Sequence, residues 1–214
     1  MTDIFVFGAG GHAKVVIEAI RAAMPHAAIG VLDDDPGNRG RRLLGVEVVG
    51  GRDHAVAHPR VPIVPAIGAN GARWAVMEWT AEQALTLATV IHPGAIGSRS
   101  ASIGPGCVLA PGAIVNAEAR LGRGTIVKTG ASVDHDCIVG EAVHVGPGAR
   151  ICGAVRIGDR SLIGVGAVVV PGIAIGGSCI VGAGAVVIRP VAEGTCVVGK
   201  PASLSTGLES CTIR

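Results

Sequence analysis

The sequence predicts an N-terminal small α/β unit with a parallel, Rossmann-like sheet over residues 1–88, then a parallel β-helix over residues 89–214. Three observations carry this prediction. From Ile103 to Val187 every sixth residue is Ile, Leu or Val, fifteen in succession without an insertion. A helix repeats near 3.6 residues and a strand at 2, and neither yields 6. A hexapeptide period belongs to a chain coiled into short strands and turns. Before residue 90 the pattern changes: short apolar runs alternate with helical spacing, as in a parallel sheet covered by helices. Finally, a glycine turn, Gly8-Ala9-Gly10-Gly11, separates the first apolar run from the first helical stretch.

The elements follow in order. Ile4 to Phe7 reads as a short buried strand. His12 to Met24 places Val15, Val16, Ala19, Ile20 and Ala23 on one helical face, with Pro25 just past the end. Ile29 to Leu32 is a second strand ending at Asp33-Asp34-Asp35, and Val46 to Val49 a third. Ile63 to Gly68 is a weaker strand, because Pro65 argues against a central position. A further helix starts at Asn70 and reaches about Ala84. Thr89-Val90-Ile91 leads into the second unit, and Ile91 is in phase with the period although Gly97 breaks it. Three hexapeptides make one triangular coil, so fifteen make five coils. At about 4.8 Å per coil these stack into a prism of roughly 24 Å. Gly104-Pro105-Gly106, Gly146-Pro147-Gly148 and Pro171-Gly172 supply corners. The tail from Gly199 reads as a loop or cap.

Composition excludes several classes. A net charge of +2 gives no case for nucleic acid or an anionic membrane, and Arg39, Arg41 and Arg42 read as a solvated loop. Two Phe, two Trp and no Tyr leave no base-stacking surface. The six cysteines form no CxxC pair and no zinc-ligand spacing. Cys107, Cys137 and Cys179 fall four residues after a repeat Ile, Leu or Val, where small residues otherwise stand, so they read as buried hydrophobes and not as disulfide partners. The expectation is a reduced, cytoplasmic chain without a leader segment. Ser161 to Ile188 carries no charge, but its seven Gly, one Pro and unbroken period mark a β-helix wall and not a membrane span.

Two motifs carry chemistry. Gly8-Ala9-Gly10-Gly11-His12-Ala13 follows a strand and opens a helix, with Asp33 ending the next strand. In that setting glycines let backbone approach a phosphate, and helix N-terminal N–H groups attract its charge. A nucleotide-sugar and a dinucleotide fit this turn equally, and a plain tight turn accounts for the glycines too. The second motif is Val133-Asp134-His135-Asp136-Cys137. Val133 points inward, while Asp134, His135 and Asp136 occupy an edge of the Gly-rich wall. One coil on, Gly153 stacks over His135 and leaves its ring uncovered on that side. A histidine titrates near neutrality and accepts a proton there, and an adjacent carboxylate orients it. A solvated, functionless edge explains the same residues. His144 lies nine residues on, half a coil away, so it meets His135 only if two prisms pack side by side, as in a cyclic trimer.

These residues also carry a resemblance. In order along the chain stand Gly8-Ala9-Gly10-Gly11-His12-Ala13-Lys14-Val15-Val16, Asp33-Asp34, Ala66-Ile67-Gly68, Ile91-His92-Pro93, Thr129-Gly130-Ala131-Ser132-Val133-Asp134-His135-Asp136-Cys137 and Gly199-Lys200-Pro201-Ala202. The pattern resembles the NeuD/PglD-type sugar acetyltransferases of the hexapeptide, left-handed β-helix, acyltransferase superfamily. The resemblance implies a homotrimer, with active sites between subunits, that uses acetyl-CoA and no metal. The acceptor it implies is the amino group of a nucleotide-linked 4-amino-sugar of the perosamine and bacillosamine kind. It makes His135 the general base and Asp136 its orienting carboxylate. His144, Gly153, Val165 and Ala183 would line the acetyl-CoA groove. Gly10, Gly11, His12, Asp33, Asp34 and Gly68 would hold the nucleotide-sugar. Two departures stand out: Lys128 replaces a common Asn, which alters the expected sugar contacts, and Ser203 follows Pro201-Ala202 where a basic residue is frequent.

Competing readings remain open at this level. O-acetylation of a sialic acid or another sugar hydroxyl needs the same base. A β-helix metalloenzyme would need three histidines on one zinc, and His92, His135 and His144 lack a close pair. A non-catalytic scaffold or NAD-binding regulator would keep the glycine turn alone.

Overall fold

The computed structural model describes residues 2–205. Strands β1 (Ile4–Phe7) and β2 (Ile29–Leu32) pair in parallel around the helix α1 (Gly11–Ala23), which buries Ala13, Val16, Ile17, Ala19 and Ile20. A hairpin of β3 (Arg42–Leu43) and β4 (Val46–Gly50) extends this sheet on one side. A short helix, α2 (Arg52–Ala57), then leads to β5 (Ile63–Pro65). The order is β3–β4–β2–β1–β5, so Pro65 sits on an edge strand, where a missing N–H is tolerated. Neither β3 nor α2 follows from the apolar pattern, and Arg42 lies in a strand and not in the expected loop. Helix α3 (Asn70–Glu82) stops two residues before the predicted Ala84.

From Val90–Ile91 onward the chain coils. Two-residue strands follow one another every six residues and pair in parallel with the strand 18 residues on, as Ile126 does with His144. They form three sheets, the faces of a prism. The coil therefore begins before the regular period does: Ile91 pairs in register with the inward Leu109, as its phase predicts, while Val90 faces outward and is buried under α1. The repeat residues Leu109 to Val187 are at most 4% exposed and fill the interior. The small residue four places later is buried with them. Thr125 and Ser161 donate from their hydroxyls to Gly140 O and Gly176 O, both at 2.8 Å. Cys107 and Cys137 donate from their thiols to Gly122 O and Cys152 O, both at 3.1 Å, so cysteine substitutes for a small hydroxyl here. Cys107, Cys137 and Cys179 are free, as read from their positions, and so is Cys152. Cys196 is disulfide-bonded, a departure from the expectation of a reduced chain.

Each corner needs one residue with left-handed backbone, and it recurs every six positions. Gly124, Gly130 and Gly148 fill it at φ of 64° to 66°, and Asp136 fills it at 58°. Glycine enters that region without strain, and Asp is among the few others that tolerate it. Of the loop or cap expected from Gly199, the structure shows a cap: Ser203–Leu204 pairs antiparallel with Cys196–Val198, which extends one face. The rest of the predicted second unit, 206–214, lies outside the described residues.

The α/β layer docks on the face that carries Val90, Val108, Ile126, His144, Leu162 and Ile180. Helix α1 covers the first three, which are fully buried. Helix α3 presents Asn70, Arg73, Trp74, Met77 and Glu78, an i, i+3, i+4, i+7, i+8 stripe. Arg73 is 0% exposed. Its Nε donates to Gly124 O at 2.8 Å and its Nη2 to Ala142 O at 2.6 Å on the coil. Its Nη1 donates to Ile67 O at 2.8 Å and Gly68 O at 3.1 Å on the layer. Asn70 donates to Arg160 O and Ser161 O. Arg123 pairs with Glu78 and Glu141, and Trp74 lies between the guanidinium groups of Arg123 and Arg160. Met77 fills the space over Gly124, where a Cβ would fall 1.9 Å from its Sδ.

Replacing Arg73 by Leu strips five backbone carbonyls, those of Ile67, Gly68, Gly124, Ala142 and Val143, of this donor. The loss expected is about 3–5 kcal/mol, in the range for breaking a buried charge network. In a chain of this size that lowers Tm by about 10 °C. Arg73→Lys recovers only part, because one ammonium lacks the planar fork that reaches both units. Thermal unfolding of the two variants measures both effects.

Candidate active site

The Gly8–Gly11 turn sits at the C-terminal end of β1, where α1 begins. Gly8 has φ of 110°, and a Cβ there would meet Ile67 Cγ1 at 3.0 Å and Ala66 O at 3.2 Å. Packing therefore requires glycine at this position. At Gly10, Gly11 and Gly68 the reason differs, since a Cβ would meet nothing within 4 Å. All three line a cavity of about 580 Å³ together with His12, Asp33, Asp34 and Arg52. That size suits a nucleotide-sized ligand, and the N-terminal N–H groups of α1 suit its phosphates.

Asp33 lines this cavity, yet its carboxylate already braces the chain. Oδ2 accepts from Ala9 N at 2.7 Å, and Oδ1 accepts from Asp35 N at 2.9 Å and Asn38 Nδ2 at 3.1 Å. Asp34 is exposed and pairs with Arg52 at 3.0 Å. The Arg52 guanidinium rests on the Trp79 ring, 4.9 Å from its centroid. Of the two acids, Asp34 has the more accessible oxygens. Asp33, Asp34 and Arg52 also line an adjoining cavity of about 460 Å³, which extends the site beyond the sheet edge.

At the other end, Gly68 belongs both to the first cavity and to another of about 630 Å³. Asn70, His144, Arg160, Leu162 and Ile180 line this second space. The imidazole of His144 lies where the cover given by α1 ends, and its Nδ1 is 3.2 Å from Gly68 O. A carbonyl only accepts, so Nδ1 carries the proton and Nε2 presents a lone pair. Burial, with Arg73 and Lys128 nearby, holds His144 down to about 4. His12 is held lower, at about 3, first by burial and then by Lys128. Both rings are neutral at physiological pH.

His135 presents the opposite case. Asp136 takes the left-handed corner conformation directly after it, which turns the carboxylate back toward the ring. Oδ2 of Asp136 is 2.7 Å from His135 Nδ1. Asp134 Oδ1 accepts from the backbone N of His135 and from Asn116 Nδ2, both at 2.8 Å, and holds the corner in place. The hydrogen bond to Asp136, more than the field of Asp134, raises the His135 pKa above its ordinary 6.5. With Nδ1 committed to Asp136, Nε2 is the basic atom. Gly153 lies directly against the ring: a Cβ there would be 2.6 Å from both Cε1 and Nε2.

The structure thus gathers Gly10, Gly11, His12, Asp33, Asp34 and Gly68 around one cavity, with His144 beside it. It groups His135, Asp136 and Gly153 at one prism corner, and stacks the exposed Val165 and Ala183 at another. His135 and Asp136 line neither of the cavities that meet at Gly68. Arg73, Asn70, Arg52 and Arg160 were missed by sequence reasoning; the stripe on α3 was the signal for the first two. Among the described residues no three His, Cys, Asp or Glu side chains group as a metal site would require, and no helix is long and apolar enough to cross a membrane.

Fold and site define a hexapeptide-repeat acyltransferase. Residues 3–80 match the family model of the PglD N-terminal domain. A variant of perosamine N-acetyltransferase from Caulobacter crescentus, solved with CoA and GDP-perosamine, is 38% identical at a TM-score of 0.90, over 97% of this chain and 98% of that one. The acetyltransferase domain of PglB from Neisseria gonorrhoeae, in complex with acetyl coenzyme A, is 36% identical at 0.88, over 96% and 100%. WeeI from Acinetobacter baumannii is 28% identical at 0.88, again over 96% and 100%. No curated protein matches the chain. The chain belongs to the NeuD/PglD-type sugar acetyltransferases.

Gly153→Ala separates position from fold. The methyl group displaces an exposed ring, so stability changes by less than about 0.5 kcal/mol. The displaced Nε2 lowers turnover about 100-fold. Thermal unfolding and a CoA-release assay on the same preparation check the two halves.

Proposed function

We propose that this protein transfers the acetyl group of acetyl-CoA to the amino group of a nucleotide-linked 4-amino-sugar, with His135 as general base. The observation that carries the role of His135 is its pairing with Asp136 at 2.7 Å, which leaves Nε2 basic and uncovered by Gly153. The amine lone pair forms the C–N bond to the thioester carbonyl carbon while an N–H proton passes to Nε2. The C–S bond then breaks and its electron pair leaves on the CoA thiolate. Backbone N–H groups of the coil serve the oxyanion, and fixed positioning of both substrates supplies much of the rate. No residue of the chain is acylated.

Gly10, Gly11, His12, Asp34 and Gly68 hold the nucleotide-sugar in this reading, and Asp33 holds the turn that they form. His144, Gly153, Val165 and Ala183 border the acetyl-CoA groove. These groups lie on different faces of one prism, so the site is complete only between subunits, in a homotrimer. The relatives with CoA and GDP-perosamine support an amine acceptor over a sugar hydroxyl. The test is CoA release with GDP-perosamine and with a GDP-sugar bearing hydroxyl at that carbon. Release with the amine alone is expected; no release with any nucleotide-linked 4-amino-sugar overturns the reading.

His135→Ala lowers kcat by about 10²–10⁴-fold at unchanged Tm. Asp136→Asn acts through pH. The base works unprotonated, so activity rises as pH climbs through the raised His135 pKa. Removing the carboxylate lowers that pKa, and the acid limb of kcat/KM moves to lower pH while its plateau falls. A kcat/KM profile from pH 5 to pH 9 reads both.

A further inference from the structure

Lys128 stands beside the first cavity, against the ring of His12 that lines it. It follows the strand Ile126–Val127, just before the column of that face reaches His144. Its Nζ lies 3.2 Å from Nδ1 of His12, which lines the first cavity. It also acts electrostatically on His144, which lines the second. An ammonium has only protons to give. It therefore donates to His12 and, among the described residues, keeps two N–H groups without a partner. Among the described residues it pairs with no carboxylate.

The surroundings are as informative as the contact. The titratable groups coupled to Lys128 are His12 from α1 and His144 from the coil, and Arg73 from α3 acts on the same two rings. Both imidazoles are neutral and the guanidinium is bonded to carbonyls and Asn70. The carboxylates of the first cavity, Asp33 and Asp34, lie at the end it shares with the adjoining space, committed to Ala9 N and to Arg52. A half-buried positive charge, paired with no carboxylate among the described residues, thus stands behind the His12 side of the cavity, while Asp33 and Asp34 lie at the end shared with the adjoining space. In the nucleotide-amino-sugar reading, on which this inference rests, that is where the sugar lies. An amino sugar reaches the site from water largely as an ammonium, which cannot attack a thioester.

We propose that Lys128 is a positioning residue for the acceptor: its unpartnered N–H groups hold a lone pair of the sugar, and its charge admits the amino group only as the neutral amine. A like charge at short range disfavours the protonated form of a neighbour. The ammonium proton then goes to solvent as the sugar binds, and His135 has only the second proton to take during attack.

Calorimetry of GDP-perosamine binding in two buffers of different ionisation enthalpy counts the protons released. A His135→Asn background prevents that ring from taking the proton. With Lys128 present, about one proton per sugar is released below the amine's own pKa. Lys128→Gln reduces the release by at least half, Lys128→Arg retains it, and a GDP-sugar with hydroxyl in place of the amine releases none. Thermal unfolding confirms that the variants are folded. In the His135-containing enzyme, Lys128→Gln also shifts the acid limb of kcat to higher pH, since kcat reports the bound complex. Absence of proton release with Lys128 intact, or equal release from Lys128→Gln, overturns the inference. A parallel loss of kcat at every pH, with no shift of the limb, does so as well. Failure of the wild-type enzyme to acetylate any nucleotide-linked 4-amino-sugar would instead overturn the proposed function.

Discussion

The structure depends on one buried cation. Arg73 has no carboxylate partner; backbone carbonyls from both units, with Asn70, satisfy its guanidinium. Burial lowers its pKa to about 10, which leaves it charged at any physiological pH. Withdrawing such a charge from water is tolerable only when nearly every donor is satisfied. The planar fork therefore accepts very few relative placements of α3, the Ile67–Gly68 loop and the coil. Apolar contact alone would let α1 slide along the column of Val90, Val108 and Ile126; directional bonds from Arg73 stop it. Because Gly68 is among the groups held, the same constraint fixes the opening between the two cavities.

Much of this was legible in the residues, for reasons that differ by element. The hexapeptide period survives because every coil repeats the same geometric problem: a bulky inward residue, a small one four places on, and a left-handed corner. Fifteen repetitions exceed what chance patterning supplies. The glycine turn was legible because Gly10 and Gly11 have no packing role that alanine could share. The His135 corner was legible because polar side chains interrupt an apolar wall. What stayed hidden was long-range. The face of α3 toward the coil is Asn, Arg, Trp, Met and Glu, which reads as a solvent face until a partner surface of carbonyls is known. The two-residue strand β3 and the short helix α2 are too brief for periodicity to register. Asp33 looked like a ligand-binding acid, and only the fold reveals that its oxygens hold Ala9, Asp35 and Asn38.

Three histidines illustrate how placement assigns protonation. His12 and His144 sit against cations in dry surroundings, so they stay neutral and act as oriented hydrogen-bonding groups. His135 sits in water against carboxylates, so it gains basicity. The same side chain is held neutral in two places and made more basic in a third, by environment alone. The upward shift at His135 follows from its sequence neighbours Asp134 and Asp136, whereas the downward shifts at His12 and His144 follow first from burial between the α/β layer and the coil and then from cations on both.

The exposure of His135 also bears on how the site assembles. A base in open water is easily made and poorly used, because water competes for its lone pair and weakens every interaction that steers the acceptor. The chain nevertheless builds this base with care: Asp136 in a strained corner, Asp134 bracing the backbone, Gly153 cleared beneath the ring. Such preparation has a physical use only if another surface closes over the corner. In the proposed trimer that surface is the His144 face of a neighbouring copy, where a cavity of about 630 Å³ opens beside Gly68. On that proposal the His135 corner of each copy closes over the cavity of the next, and the coil supplies to its neighbour what it does not place beside its own cavity.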